Sequence, residues 1–155
     1  MIDYQRLFHT GVRVPDIAES MDELSSGLGV TWAEVQHREQ GIWMPDGGFR
    51  TVKLEFTYSC EGPQHIELLH GEDGTFWDTV AAPGVHHIGV WVDDVGAETT
   101  RLLELGWTLV GASKDPAEGF GAYTYLQRPG GMIVELVWGT LEPMFQRWWA
   151  GGTLG

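Results

Sequence analysis

The chain has 155 residues, 43% of them hydrophobic and 20% charged, and carries a net charge of −13. That length and composition suit one globular domain with a real core. The charge speaks against nucleic acid, whose phosphates demand basic patches, and against anionic membrane surfaces.

No run of about 20 apolar residues is present, so no membrane-spanning helix is expected. The start, Met1-Ile2-Asp3-Tyr4-Gln5-Arg6, lacks the basic-then-apolar layout of a signal peptide, and the cytoplasm is the expected compartment. The single Cys60 has no intrachain partner for a disulfide. It lies in a turn-like string, Ser59-Cys60-Glu61-Gly62-Pro63, without the cationic neighbours that activate a thiol.

In chain order, alternation predicts a first strand over 7–14, with His9, Gly11 and Arg13 on one face. A helix over 17–28 follows, with Asp16 as N-cap and Ile17, Met21, Leu24 and Leu28 on its apolar face. Strands are expected over 31–38, 51–58 and 65–69, with Trp43-Met44-Pro45-Asp46-Gly47-Gly48 read as turn and loop. A linker over about 71–84 contains Phe76-Trp77. The second half then repeats the order: a strand over 87–92, a helix over about 95–105 ended by Gly106, and strands over 108–112, 122–127 and 132–137. A short helix over 141–149 closes the chain, with Phe145, Trp148 and Trp149 as a candidate homodimer surface. The fold class is therefore α+β, a single domain of two tandem βαβββ modules over about 5–70 and 85–138, with a tail over 139–155.

The two modules share a motif. Residues 9–16 and 87–94 both fit H-x-G-V-x-V-x-D, offset by 78 positions, and Ile66-Glu67-Leu68-Leu69 is echoed by Val134-Glu135-Leu136-Val137. Each half thus supplies one His early and one Glu late, both in strand-like sequence. A histidine in a strand is commonly a satisfied core residue. A carboxylate bracketed by apolar residues is rarer, because burying it unpaired is costly. His9, Glu67, His87 and Glu135 together are expected to hold one divalent ion, with Zn, Ni, Co, Mn or Fe all compatible with imidazole and carboxylate ligands. Alternation puts Arg13, His65 and Trp91 on the inner faces with them, and turns Val12, Val14, Val90, Val92, Ile66 and Leu68 toward the helices.

With these residues in place, the chain resembles the vicinal oxygen chelate superfamily (the glyoxalase/bleomycin-resistance/dioxygenase group). The most specific strings are His9-Thr10-Gly11-Val12, Gly84-Val85-His86-His87-Ile88-Gly89-Val90, Val92-Asp93-Asp94 and Gly131-Met132-Ile133-Val134-Glu135-Leu136. The resemblance implies a curved, open barrel-like sheet around a central metal cup, with ligands from strands one and four of each module. Of His86-His87, only His87 matches the repeat, and His86 is expected to face away. Within the superfamily the chain is most similar to methylmalonyl-CoA epimerases and glyoxalase I-type lyases. Gly84-Val85-His86-His87-Ile88 and Arg38-Glu39-Gln40-Gly41-Ile42 are epimerase-like. Glu67 departs from the neutral amide common in epimerases and matches glyoxalase I.

The resemblance implies metal-assisted proton transfer α to a carbonyl, as an isomerase, epimerase or lyase. Glu135 is the first candidate for the general base, Glu67 the second on the opposite face, and Glu39 a weaker third. Trp43, Phe49, Trp91, Tyr123 and Tyr125 are candidates to line the cup, which would then suit a fairly apolar small-molecule substrate, with Arg13 on its carboxylate or carbonyl. Two other functions fit the same superfamily. One is an Fe(II) dioxygenase, although such sites use two His and one carboxylate. The other is a metal-free protein that sequesters drugs or metabolites.

Overall fold

The computed structural model describes residues 1–155. Eight strands form one closed barrel in the order β1-β4-β3-β2-β6-β7-β8-β5. Module one contributes β1 (Leu7–Arg13), α1 (Ile17–Leu28), β2 (Gln36–Met44), β3 (Gly48–Tyr58) and β4 (His65–Gly71). Module two contributes β5 (Gly84–Val92), α2 (Val95–Glu104), β6 (Thr108–Ala112), β7 (Tyr123–Gln127) and β8 (Ile133–Trp138). A last helix, α3 (Glu142–Trp149), follows.

The shared letters of the internal repeat each have a structural task. Its last residue, Asp16 or Asp94, caps a helix: the carboxylates accept from Glu19 N at 2.8 Å and Ala97 N at 2.9 Å. A cap of this kind stabilises a helix by about 1 kcal/mol. The alternate valines face the helices as expected. Val14, Ile17 and Leu68 pack with Val12, Leu24 and Ile66 beneath α1, and their counterparts Val92, Val95 and Leu136 pack with Val90, Leu102 and Val134 beneath α2.

The modules meet along β1 and β5, which pair antiparallel. Thr10 faces Ile88, its own counterpart 78 positions on, so the local two-fold axis passes between them. The opposite seam is slender, with Trp43 and Ala112 as its one paired position between β2 and β6. A side-chain staple reinforces it: Gln40 Nε2 donates to the Tyr123 hydroxyl at 2.6 Å, and that hydroxyl donates to the Gly41 carbonyl at 2.5 Å. The sheet is thus closed rather than open.

Two further departures concern β2 and the tail. The strand expected over 31–38 is shifted to Gln36–Met44, and the segment read as a loop is the end of β2 plus a tight hairpin over 45–47. Backbone pairing along β3, from Gln36↔Phe56 to Met44↔Gly48, overrides the polar composition of that stretch. Helix α3 does not present its aromatics outward. Trp148 is 0% and Trp149 6% exposed, packed with Phe8, Tyr58, Trp91 and Val137, so the surface expected to hold a second copy is consumed within the chain.

Candidate metal centre

The register places the four expected ligands around the axis. Across β1 and β5, His9 lies opposite Gly89 and Gly11 opposite His87. On the outer sides, Gly11 neighbours Glu67 on β4, and Gly89 neighbours Glu135 on β8. Each glycine is therefore flanked by the histidine of the other module and the glutamate of its own. A Cβ at Gly11 would collide with the His87 ring, and one at Gly89 with the His9 ring. The H-x-G spacing thus clears room for both imidazoles.

All four side chains are buried and converge. His9 Nε2 and His87 Nε2 are 2.9 Å apart. Glu67 Oε2 lies 3.2 Å from His9 Nε2 and 3.1 Å from His87 Nε2, and Glu135 Oε2 lies 3.1 Å and 3.2 Å from the same atoms. The four donor atoms all fall within 4.8 Å of one another. Glu67 Oε2 is buried with only these two imidazole nitrogens beside it. Ligands held about 2.0–2.2 Å from one ion at right angles stand about 3 Å apart, which matches the spacing here. The donor set therefore fits a divalent cation.

The electrostatics agree. Burial pushes the His87 imidazole down, but Glu135 and Glu67 outweigh it and hold it up at about 9. His9 is likewise raised by the two carboxylates against its own burial. Burial pushes the Glu135 carboxyl up, yet His87 and His9 prevail and hold it well below the usual carboxylate range. Glu67 is lowered in the same way. Without a metal, protons on the imidazoles balance the carboxylates.

A cavity of about 400 Å³ opens onto Glu67 and Glu135. Tyr123 and Tyr125, expected to line the cup, do so. Sequence reasoning missed four other aromatic walls: Phe56, Tyr58, Trp77 and Phe145. Tyr58 sits across from Glu67 on β3 and β4, as Tyr125 sits across from Glu135 on β7 and β8, and that pairing follows from hairpin register rather than from the repeat. Both phenols are pushed up, by burial first and then by the carboxylates, and stay protonated. Trp77, 1% exposed, comes from the linker, whose chain folds back against β4 at Gly71.

Other expected wall residues are elsewhere. Trp43 packs on the α2-side cluster, because its neighbour Ile42 takes the interior. Trp91 stacks on Phe8 at 3.7 Å and is covered by α3 at Phe145. Arg13 lines a separate cavity with Phe76 and Gln127. Phe49 is exposed at the hairpin, and Glu39 is an exposed residue opposite Lys53 on the paired strand, outside the cavity. His65 is buried with its Nδ1 2.6 Å from the Ser59 carbonyl, stacked on Trp149. His86 does not turn away: its Nδ1 lies 2.9 Å from His87 Nδ1.

The family model described as the glyoxalase/bleomycin resistance protein/dioxygenase superfamily matches residues 8–125. The chain belongs to this superfamily. Within it, the chain is 28% identical over 139 residues to the ethylmalonyl-CoA/methylmalonyl-CoA epimerase of Cereibacter sphaeroides, covering 84% of this chain and 96% of the relative. It is 26% identical over 132 residues to the uncharacterized protein YwbC of Bacillus subtilis, covering 84% and 95%. Among solved structures, the methylmalonyl-CoA epimerase of Mycobacterium tuberculosis superposes with a TM-score of 0.60 at 17% identity, over 88% of this chain and 91% of that one. The superfamily fold, two βαβββ modules around a buried cup, is the fold described above. No helix is long and apolar enough to cross a membrane.

Proposed function

We propose that the protein is a divalent-metal-dependent isomerase, epimerase or lyase that moves a proton α to the carbonyl of a compact, largely apolar substrate. One observation carries this reading: two buried carboxylates converge with two imidazoles and face an apolar cavity. An ion held by His9, Glu67, His87 and Glu135 would polarise a chelated carbonyl and acidify the adjacent C–H.

The remaining work falls to the chain. Glu135, ionised at neutral pH, takes the α-proton on its carboxylate. Return of that proton by Glu135 to the neighbouring carbon isomerises the substrate and leaves Glu135 ionised again. Inversion instead requires Glu67, the counterpart across the two-fold axis and ionised at rest, to take a proton from water first and give it to the opposite face of the carbon that Glu135 deprotonates. The protonated hydroxyls of Tyr58 and Tyr125 adjoin these carboxylates, and the surrounding aromatic walls exclude water.

The cavity also bears on substrate class. Arg38 is the only Lys or Arg among the residues lining it, and its Nη2 already donates to Gln36 Oε1 and the Leu154 carbonyl, both at 2.8 Å. A coenzyme A ester, as named for the Cereibacter relative, carries phosphates that call for free cations near the mouth. Aromatic walls favour a small apolar body with an oxygenated carbonyl group.

The experiment is metal content by elemental mass spectrometry on chelator-free protein, followed by deuterium wash-in from D₂O into aromatic or aliphatic 2-hydroxy and 2-oxo carbonyl compounds, beside methylmalonyl-CoA. Metal at about one per chain with wash-in on the apolar compounds is expected. Wash-in only on methylmalonyl-CoA would keep the proton transfer and overturn the substrate class. No metal after reloading would overturn the function.

A further inference from the structure

The two modules are not equal at their histidines. Along β1 and β5 the register slips twice, between Leu7 and His9 and between Gly11 and Val12. The extra residues are Phe8 on β1 and His86 on β5, which are themselves counterparts at an offset of 78. An extra residue of this kind breaks strand alternation and re-aims a side chain. Module one places a phenyl ring there, edge-on to His9 at 4.4 Å between centroids. Module two places an imidazole, and its Nδ1 reaches His87 Nδ1. His9 Nδ1, by contrast, is buried without a partner.

Two facing ring nitrogens at 2.9 Å share one hydrogen. If His86 donates, His87 keeps its hydrogen on Nε2, where it points at the other ligands and blocks metal binding. If His87 donates, its Nε2 lone pair faces the ligand cluster. We propose that His86 is a positioning residue for the metal centre: its Nδ1 accepts the Nδ1–H of His87 and fixes the tautomer in which His87 Nε2 binds the ion. This rests on the metal reading of the previous section. It makes His87 the oriented imidazole of the pair and His9 the unrestrained one.

The test is titration calorimetry of Zn²⁺ into metal-stripped wild type, His86→Leu and His86→Asn, with circular dichroism to check folding. Leucine keeps bulk and removes the acceptor, whereas the asparagine carbonyl can replace it. His86→Leu is expected to weaken Zn²⁺ binding about 10- to 100-fold, and His86→Asn to stay within about threefold of wild type. Leucine binding as tightly as wild type, or asparagine binding as weakly as leucine, would overturn the role.

A second measurement does not depend on variants folding. Nitrogen-15 chemical shifts of the Zn-loaded wild type are expected to show the hydrogen of His87 on Nδ1 and that of His86 on Nε2, and the reverse assignment refutes the proposal. Wild type that binds no Zn²⁺ removes the proposed function as well. Binding unmoved by His86→Leu removes the positioning role alone.

Discussion

Gly11 lies across the strand pair from His87, and a side chain at position 11 would stand within 2.6 Å of both nitrogens of that ring. The glycine of the repeat is thus a clearance for an imidazole from the other module. Gly11→Ala is expected to cost about 1–3 kcal/mol through overpacking and to displace His87. Zn²⁺ affinity by calorimetry should fall about 10-fold or more. Gly27, on α1, is the control, since a methyl group added there would meet nothing within 4 Å. Gly27→Ala should be neutral or stabilising by about 0.5–1 kcal/mol and leave metal binding unchanged.

The ligands and the base separate by substitution. His87→Ala removes one of four donors, and metal content by elemental mass spectrometry should fall to background. Glu135→Gln keeps an oxygen at the centre but cannot take up a proton. It should retain metal and lose deuterium wash-in by about 10²–10⁴-fold. Full wash-in by Glu135→Gln would assign the base elsewhere, with Glu67 the next to substitute.

The metal-free protein should respond to pH through its histidines. The His87 imidazole, held near 9 in the fold against 6.5 when unfolded, contributes stability below pH 6.5 that disappears as pH rises to 9. Glu135 works in the opposite sense: its depressed carboxyl contributes above its ordinary 4.5 and fails only as pH falls below that value. The urea midpoint of metal-stripped protein should therefore decline between about pH 6.5 and 9. Cation binding displaces the same protons, so Zn²⁺ affinity should climb through that window, with proton release visible in buffers of different ionisation enthalpy. A flat midpoint would show that the carboxylates do not hold those protons.

Trp148 tests the closing helix. It is fully buried, and its Nε1 donates to the Glu34 carbonyl at 3.2 Å. Trp148→Ala should cost about 3–5 kcal/mol in chemical denaturation, as a large core aromatic does. Light scattering on the folded variant should give the same mass as wild type, because this side chain is spent within one chain. A fall in mass would return α3 to an interface.

Much of this molecule is written in one dimension. The duplicated motif marked β1, β5 and both helix caps, because capping and alternation are local effects that repeat when the sequence repeats. The rarity of a glutamate among apolar residues marked Glu67 and Glu135. Other features were invisible locally. Arg13 and Trp91 were placed by strict alternation and Trp43 in a loop, and register slips, neighbouring residues and α3 decided their surroundings instead. Tyr58 and Trp77 reached the cavity through a hairpin register and a folded-back linker, neither of which leaves a periodic signal.

By itself, the sequence determined the two-module plan, the two His and two Glu of the buried cluster and the helix boundaries, since each depends on spacing within a repeated segment. Only the tertiary structure decided that the barrel closes through Trp43 and Ala112, that α3 fills its aromatic end, and that His86 turns toward His87. These depend on which strands meet and at what offset, and that offset is set by packing across the whole chain rather than by any residue's own preference.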